Sequence, residues 1–144
     1  MSKQEKNFLK KATVYKQNYH GDVVEGATQL KDGDTYHEGL GMAIAKAKCE
    51  LEIRKREYYA AMSVAVMIKG AQITTEIDLP DTQRRFERIY QQACEDANNM
   101  QRFYHNQKQL VYELVSMDGS KLDPKATHTD IISGVMKKIL KNGK

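Results

Sequence analysis

Between Phe86 and Leu114, positions recur in alternating steps of four and three: Phe86, Tyr90, Ala93, Ala97, Met100, Tyr104, Gln107, Val111 and Leu114. Gln107 is the one polar residue in the series. A seven-residue period held over four heptads, without Pro or Gly, specifies a helix packed along its whole length against another. Ile89, Phe103 and Leu110 widen the stripe. Pro80 suits the first helical position, where its missing amide costs nothing, and Asp78 and Asp81 suit the positive end of the dipole. The spacing predicts a helix over residues 80–117. At 1.5 Å per residue it is roughly 57 Å long, against roughly 26–30 Å for the diameter of a compact domain of this size.

A matching repeat lies upstream: Leu40, Ile44, Ala47, Leu51, Arg54, Tyr58, Ala61, Ala65 and Ile68, with Arg54 the exception. Thr35 and Glu38 have the spacing of a capping box. This predicts a helix over 35–69, stopping at Lys69-Gly70. The Val- and Ile-rich run from Ser63 to Ile68, followed by Gly70-Ala71 and Ile73–Ile77, also fits a second hairpin; the continuing four-three spacing favours helix. Two such rods can fold back as an antiparallel pair. That arrangement buries one stripe of each, and the wider face of the second asks for further partners, which oligomerisation supplies.

Ahead of the helices, residues 12–30 read as a β-hairpin. Thr13, Tyr15, Gln17 and Tyr19 share one face of the first strand, and Val24, Gly26, Thr28 and Leu30 one face of the second. His20-Gly21-Asp22 carries the turn chemistry. A lone two-stranded hairpin is marginal in water, so a helix or another subunit must cover it. After a loop over residues 117–127 with Gly119 and Pro124, Thr127 caps a last helix over 127–141, with rows Ile131/Val135/Ile139 and Ile132/Met136/Leu140. The fold class is α+β, mostly α: an N-terminal antiparallel hairpin, two long heptad-patterned helices and a short C-terminal helix, in a single domain over 1–144.

Charge bears on partners. The chain has 23 Lys and Arg against 19 Asp and Glu. Residues 1–16 carry a net +4, residues 121–144 another +4, and the body −4. Net basicity therefore lies at the ends. A protein tracking phosphates along a groove would carry it on the folded face; basic ends hold nucleic acid or serve solubility. Cys49 and Cys94 are too few for a disulfide framework and read as small core residues. Charges replace the apolar run of a signal peptide in residues 1–11, and no stretch approaches the roughly 20 apolar residues of a membrane span. The expectation is a soluble, reduced, cytoplasmic protein.

No Cys-x-x-Cys, His-Glu-x-x-His, Gly-x-Ser-x-Gly or phosphate-loop motif occurs. Gly39-Leu40-Gly41 begins like a dinucleotide fingerprint but has Ile44 at the third glycine, which favours two small residues packing closely at a helix start. The four histidines do not have the spacing of helix ligands, so neither metal nor cofactor is expected. Two places suit an anion. One is the helix start at Thr35, Tyr36 and His37, where free amides lie beside an aromatic ring and an imidazole. The other is Arg84, Arg85 and Arg88: Arg84 and Arg88 are one turn apart and can converge on one phosphate, or Arg84 and Arg85 pair with Asp81 and Glu87 as a solvated face. Tyr58-Tyr59 and Phe103-Tyr104 can stack on bases, but one tyrosine of each pair lies on the seam.

The run Thr13-Val14, Val23-Val24-Glu25-Gly26-Ala27-Thr28, Asp32-Gly33-Asp34-Thr35-Tyr36-His37-Glu38-Gly39-Leu40-Gly41-Met42-Ala43-Ile44-Ala45 resembles the opening of many small phage-encoded accessory proteins, in which a hairpin passes through an acidic turn into a Gly- and Ala-rich helix. Among them it is similar to the anti-Thoeris proteins that sequester cyclic-ADP-ribose signals. The resemblance covers the first 50 residues and implies a β-sheet followed by helices, in an oligomer that holds nucleotide ligands between subunits. The expected function is that of a non-enzymatic phage counter-defence protein. It would be a homo-oligomer of at least two copies in the host cytoplasm, sequestering a nucleotide-derived signal through Tyr36, His37, Arg84, Arg85 and Arg88, without a membrane partner. The alternatives are a nucleic-acid-binding accessory protein and an inhibitor that grips a host protein through a helical face.

Overall fold

The computed structural model describes residues 12–29, 37–74 and 80–142. In order these form strands β1 (Ala12–Tyr19) and β2 (Asp22–Gln29) and helices α1 (Glu38–Thr74) and α2 (Pro80–Val115). A single 3-10 turn (Gly119–Lys121) and helix α3 (His128–Asn142) follow. The architecture is the expected hairpin followed by two long helices and a short one. Leu30, the 31–34 turn, Thr35 and Tyr36 lie outside the described residues. Among the described residues no helix is long and apolar enough to cross a membrane.

β1 and β2 pair antiparallel, closing at Tyr19 opposite Asp22. The loop is His20-Gly21, both at positive φ (51° and 88°), the condition for a tight turn that matches strand twist. The Gly21 amide donates to the Asn18 side chain at 3.0 Å. Thr13, Tyr15 and Tyr19 of β1 and Val24, Gly26 and Thr28 of β2 are covered, as the alternation requires; Gln17, on the same face, stays exposed. Helix α1 is the cover. Val24 packs with Cys49 and Ile53, and Tyr15 and Tyr19 close over them. A Cβ on Gly26 would run into the Ala45 carbonyl oxygen and the Cys49 amide, so only glycine permits this approach.

All nine seam positions of α1, Leu40 to Ile68, and all nine of α2, Phe86 to Leu114, are buried or half-buried. The chain divides into two compact units, Met1–Ile53 with Asn106–Lys144, and Arg54–His105. In the first, Leu40, Ala43, Ile44 and Ala47 of α1 pack with Leu110 and Leu114 of α2 and with Ile131 and Ile139 of α3. Gln107 is buried there, its side-chain amide donating to the Ala47 carbonyl at 3.0 Å. In the second, Tyr58 packs on Tyr104 with ring centroids 6.0 Å apart, Arg54 lies over the Phe103 ring and Lys69 over Tyr90, so the helices run antiparallel.

The structure corrects several expectations. α1 continues through Thr74, past Lys69-Gly70, so residues 63–74 are not a hairpin. A mid-helix glycine costs only about 1 kcal/mol, too little to break a helix whose next position on the seam after Ile68, Gln72, is still half-buried. α2 ends at Val115, two residues short of Met117. Leu110 widens the buried stripe, but Ile89 and Phe103 are about half exposed, because a pair of helices covers a narrower arc than their stripe spans. Cys49 is core, whereas Cys94 is only partly covered. The first row of α3 is buried or half-buried; in the second, Leu140 faces solvent.

Candidate functional site

At the start of α1 the geometry is set by His37, the residue before the first helical turn. Its Nδ1 accepts from the Leu40 amide at 3.0 Å, which makes the imidazole the N-cap. Its Nε2 lies 2.7 Å from the main-chain oxygen of Asp123. A carbonyl can only accept and an amide can only donate, so the ring is neutral with its proton on Nε2. His37 is buried, and both nitrogens are engaged. The expected ligand-facing imidazole is thus a structural tie, because a helix start this close to another segment fills its own orphan amide from within. Tyr36 and Thr35, expected beside it, lie outside the described residues.

The same place explains Gly39-Leu40-Gly41. A Cβ on Gly39 would meet the Ala126 carbonyl, and one on Gly41 would press on the Thr13 side chain at 3.0 Å. The glycines allow close packing, the alternative favoured over a dinucleotide turn. The 117–127 loop meets Gly39, and β1 meets Gly41. Asp118 caps the 3-10 turn through Ser120. The Asp123 side chain accepts from the Lys125 amide at 2.9 Å, and its carbonyl takes the Ala126 amide as well as His37. Thr127 then starts α3 as expected: its hydroxyl accepts from the Asp130 amide, while Asp130 reaches back to the Thr127 amide.

Arg84, Arg85 and Arg88, in the first three turns of α2, are all solvent-exposed. Arg84 is 3.7 Å from Asp81, with both side chains largely in water, the solvated pairing expected for it. Such a pair is worth at most about 1 kcal/mol and yields readily to a multivalent anion. Of the five expected site residues, the three arginines share one helix of the Arg54–His105 unit, His37 belongs to the other unit, and Tyr36 lies outside the described residues.

Among the described residues, three groups have displaced acidities. Burial, with Glu50 adding its charge, pushes the Cys49 thiol up, and this thiol donates to the Val24 carbonyl at 3.2 Å. A hydrogen bond with Cys94 pushes the Tyr90 phenol up. The Ser120 hydroxyl and amide hold the Asp118 carboxyl below its ordinary value. All three are accounted for by local packing or capping. Among the described residues no group of three or more His, Cys, Asp or Glu is placed to hold a metal ion.

Two contacts that carry the packing have no local sequence signal, the His37–Asp123 tie and the Arg54–Phe103 stack, since each joins residues far apart in the chain. Compared with known protein families, with curated proteins and with solved structures, the chain matches none.

Proposed function

We propose that this chain is a non-enzymatic binding protein that, as an oligomer, captures a nucleotide-derived signalling molecule and withholds it, a phage counter-defence role of the anti-Thoeris kind. The observation that supports this reading is the Arg84–Arg85–Arg88 group. Three guanidinium groups fall within five residues and face water, and among the described residues the pairing of Arg84 with Asp81 is loose. Planar donor forks of this kind match phosphate oxygens two at a time. The N-terminal turns of α2 add the positive end of a helix dipole. With both His37 nitrogens engaged and Tyr36 outside the described residues, the reading rests on the arginines.

Calorimetry of the full chain against cyclic ADP-ribose isomers and cyclic oligonucleotides tests it. One ligand should bind, and Arg84→Ala with Arg88→Ala should weaken it at least tenfold while leaving the thermal midpoint unchanged. No binding by any of them ends this reading. Retention on heparin that falls steeply with salt, in the absence of cyclic-nucleotide binding, would favour the nucleic-acid alternative instead.

A further inference from the structure

From Tyr58 to Ile68, α1 has no charged residue, and its polar side-chain groups are the hydroxyls of Ser63 and of Tyr58 and Tyr59. A helix segment that is apolar all round belongs where it is covered all round. α2 differs in the same unit: Arg84, Arg88, Gln92 and Glu95 separate its seam residues from one another, so one of its sides is made for water. One side of α1 is occupied in a single copy, with Ala65 buried and Tyr58, Ala61 and Ile68 half-buried. The other side is bare. Tyr59, Met62 and Val66 recur at i, i+3 and i+7 and are 50%, 40% and 70% exposed, with Met67 beside them at 72% and the exposed Ala60 and Ser63 between. These four side chains, with Ala60 and Ser63, leave on the order of 500 Å² of largely apolar surface per copy, at the upper end of what a monomer usually shows in one patch. Two such patches face to face come to about the 1,000 Å² that a specific interface needs.

We propose that this face is where two copies of the chain meet, α1 against α1, antiparallel about a two-fold axis near Ser63. A second copy fits because it brings the same ridge, uncharged from Tyr58 to Ile68, so the middle of the contact desolvates no charge on either side. The flanking charges choose the direction. Parallel pairing would stack Lys55-Arg56 on the same residues of the other copy, whereas antiparallel pairing sets them beside the Gly70-Ala71 end of it. Ser63, Ala60 and Gly70 are small enough for the two backbones to approach closely. The α2 helices then flank the α1 pair with their polar sides outward. This pairing needs no ligand and holds whether or not the arginines bind one.

Light scattering on the eluting full chain tests it. The expected mass is twice 16.5 kDa, and Met62→Glu with Val66→Glu should halve it without changing the helical circular dichroism, since both side chains face water in a single copy. As a second measurement, Ser63→Cys in a Cys94→Ser background should be linked to a dimer by a short bismaleimide, whereas Gln91→Cys, on the outer side of α2, should not. A wild-type mass of one chain overturns the proposal. So does a double-glutamate variant that keeps the doubled mass, or a Ser63→Cys yield no greater than that of Gln91→Cys. None of these readouts involves nucleotide, so failure here and failure of ligand binding are separate results.

Discussion

The Gln107 side-chain amide donates to the main-chain oxygen of Ala47 at 3.0 Å, joining the one polar residue in the α2 repeat to the α1 seam. The Ala47 oxygen already accepts a helical bond, so Gln107 supplies a second partner to a group that is satisfied without it. Its replacement by a similar apolar shape should therefore be mild, and its replacement by a buried charge severe. Gln107→Leu should change unfolding free energy by less than about 1 kcal/mol. Gln107→Glu, which points a carboxylate at a carbonyl oxygen in the core, should lose about 3 kcal/mol or more. Urea titration at neutral pH reads both. Equal losses would mean that the position tolerates charge and is not the dry contact described.

His37 ties the start of α1 to the 117–127 loop through one ring, with Nδ1 on Leu40 and Nε2 on Asp123. His37→Asn keeps a cap acceptor and loses the reach to Asp123; His37→Ala loses both. The expected costs are about 1 kcal/mol for the first and about 2–3 kcal/mol for the second. Amide exchange should speed up at Leu40 and across the loop in the alanine variant. Neither substitution should alter nucleotide affinity measured well below the unfolding temperature. An affinity loss with stability intact would return His37 to the ligand site.

The seams of both helices were legible in the sequence down to the individual residue, because a four-three period is a direct imprint of which side is covered. The hairpin was legible for the same reason, through alternation and the positive-φ demand at His20-Gly21. The end of α1 was not: Gly70 and the β-branched Val64 and Val66 are local stop signals, and packing at Ala65, Ile68 and, beyond the glycine, Gln72 outweighs them. The site was less legible than the fold. Whether an imidazole at a helix start faces water or a neighbouring carbonyl depends on Asp123, 86 residues away, and no spacing rule reaches that far.

Gly26 marks where the hairpin touches α1. A Cβ there meets backbone atoms of Ala45 and Cys49, which cannot rotate aside as a side chain can. Gly26→Ala should cost about 3 kcal/mol and release the hairpin from the helix, seen as faster exchange of the β2 amides. Gly134→Ala is the converse. It lies inside α3 with open space around the added methyl, so it should raise stability by about 0.5–1 kcal/mol. A neutral Gly26→Ala would mean that the hairpin does not rest on α1 in solution.

Cys49 is fully buried and donates to the Val24 carbonyl, while Cys94 is partly covered. Native protein at pH 8 should therefore react with a thiol reagent at Cys94 and show Cys49 only on unfolding. The sign of the pH effect follows from the direction of the shift. Burial raises the folded-state value, so the stabilisation is complete below the ordinary thiol range and is lost as pH rises through the raised value. Tyr90, pushed up by its hydrogen bond with Cys94, acts in the same direction. The urea midpoint should fall between pH 8 and the raised values, and Cys49→Ala should flatten part of that fall.

Asp118 gives the opposite sign. Its carboxylate accepts from the Ser120 hydroxyl at 2.7 Å and from the Ser120 amide at 3.0 Å, with the Lys121 charge a lesser influence. These bonds favour the charged form and lower its value, so the cap is intact above the ordinary carboxylate range and is lost as pH falls through the lowered value. The group is exposed, so the consequence is local: the 119–121 turn should loosen in acid while α2 and α3 remain. Ser120→Ala removes the largest cause and keeps the amide bond, and should move the Asp118 titration, followed by carboxyl carbon shifts, part of the way back up. Asp118→Asn keeps an oxygen to accept both bonds but has no proton to gain, so its turn should show no acid transition. If Ser120→Ala leaves the titration where it was, the hydroxyl is not what holds the carboxylate, and the acid sensitivity of this turn must come from the Ser120 amide and Lys121.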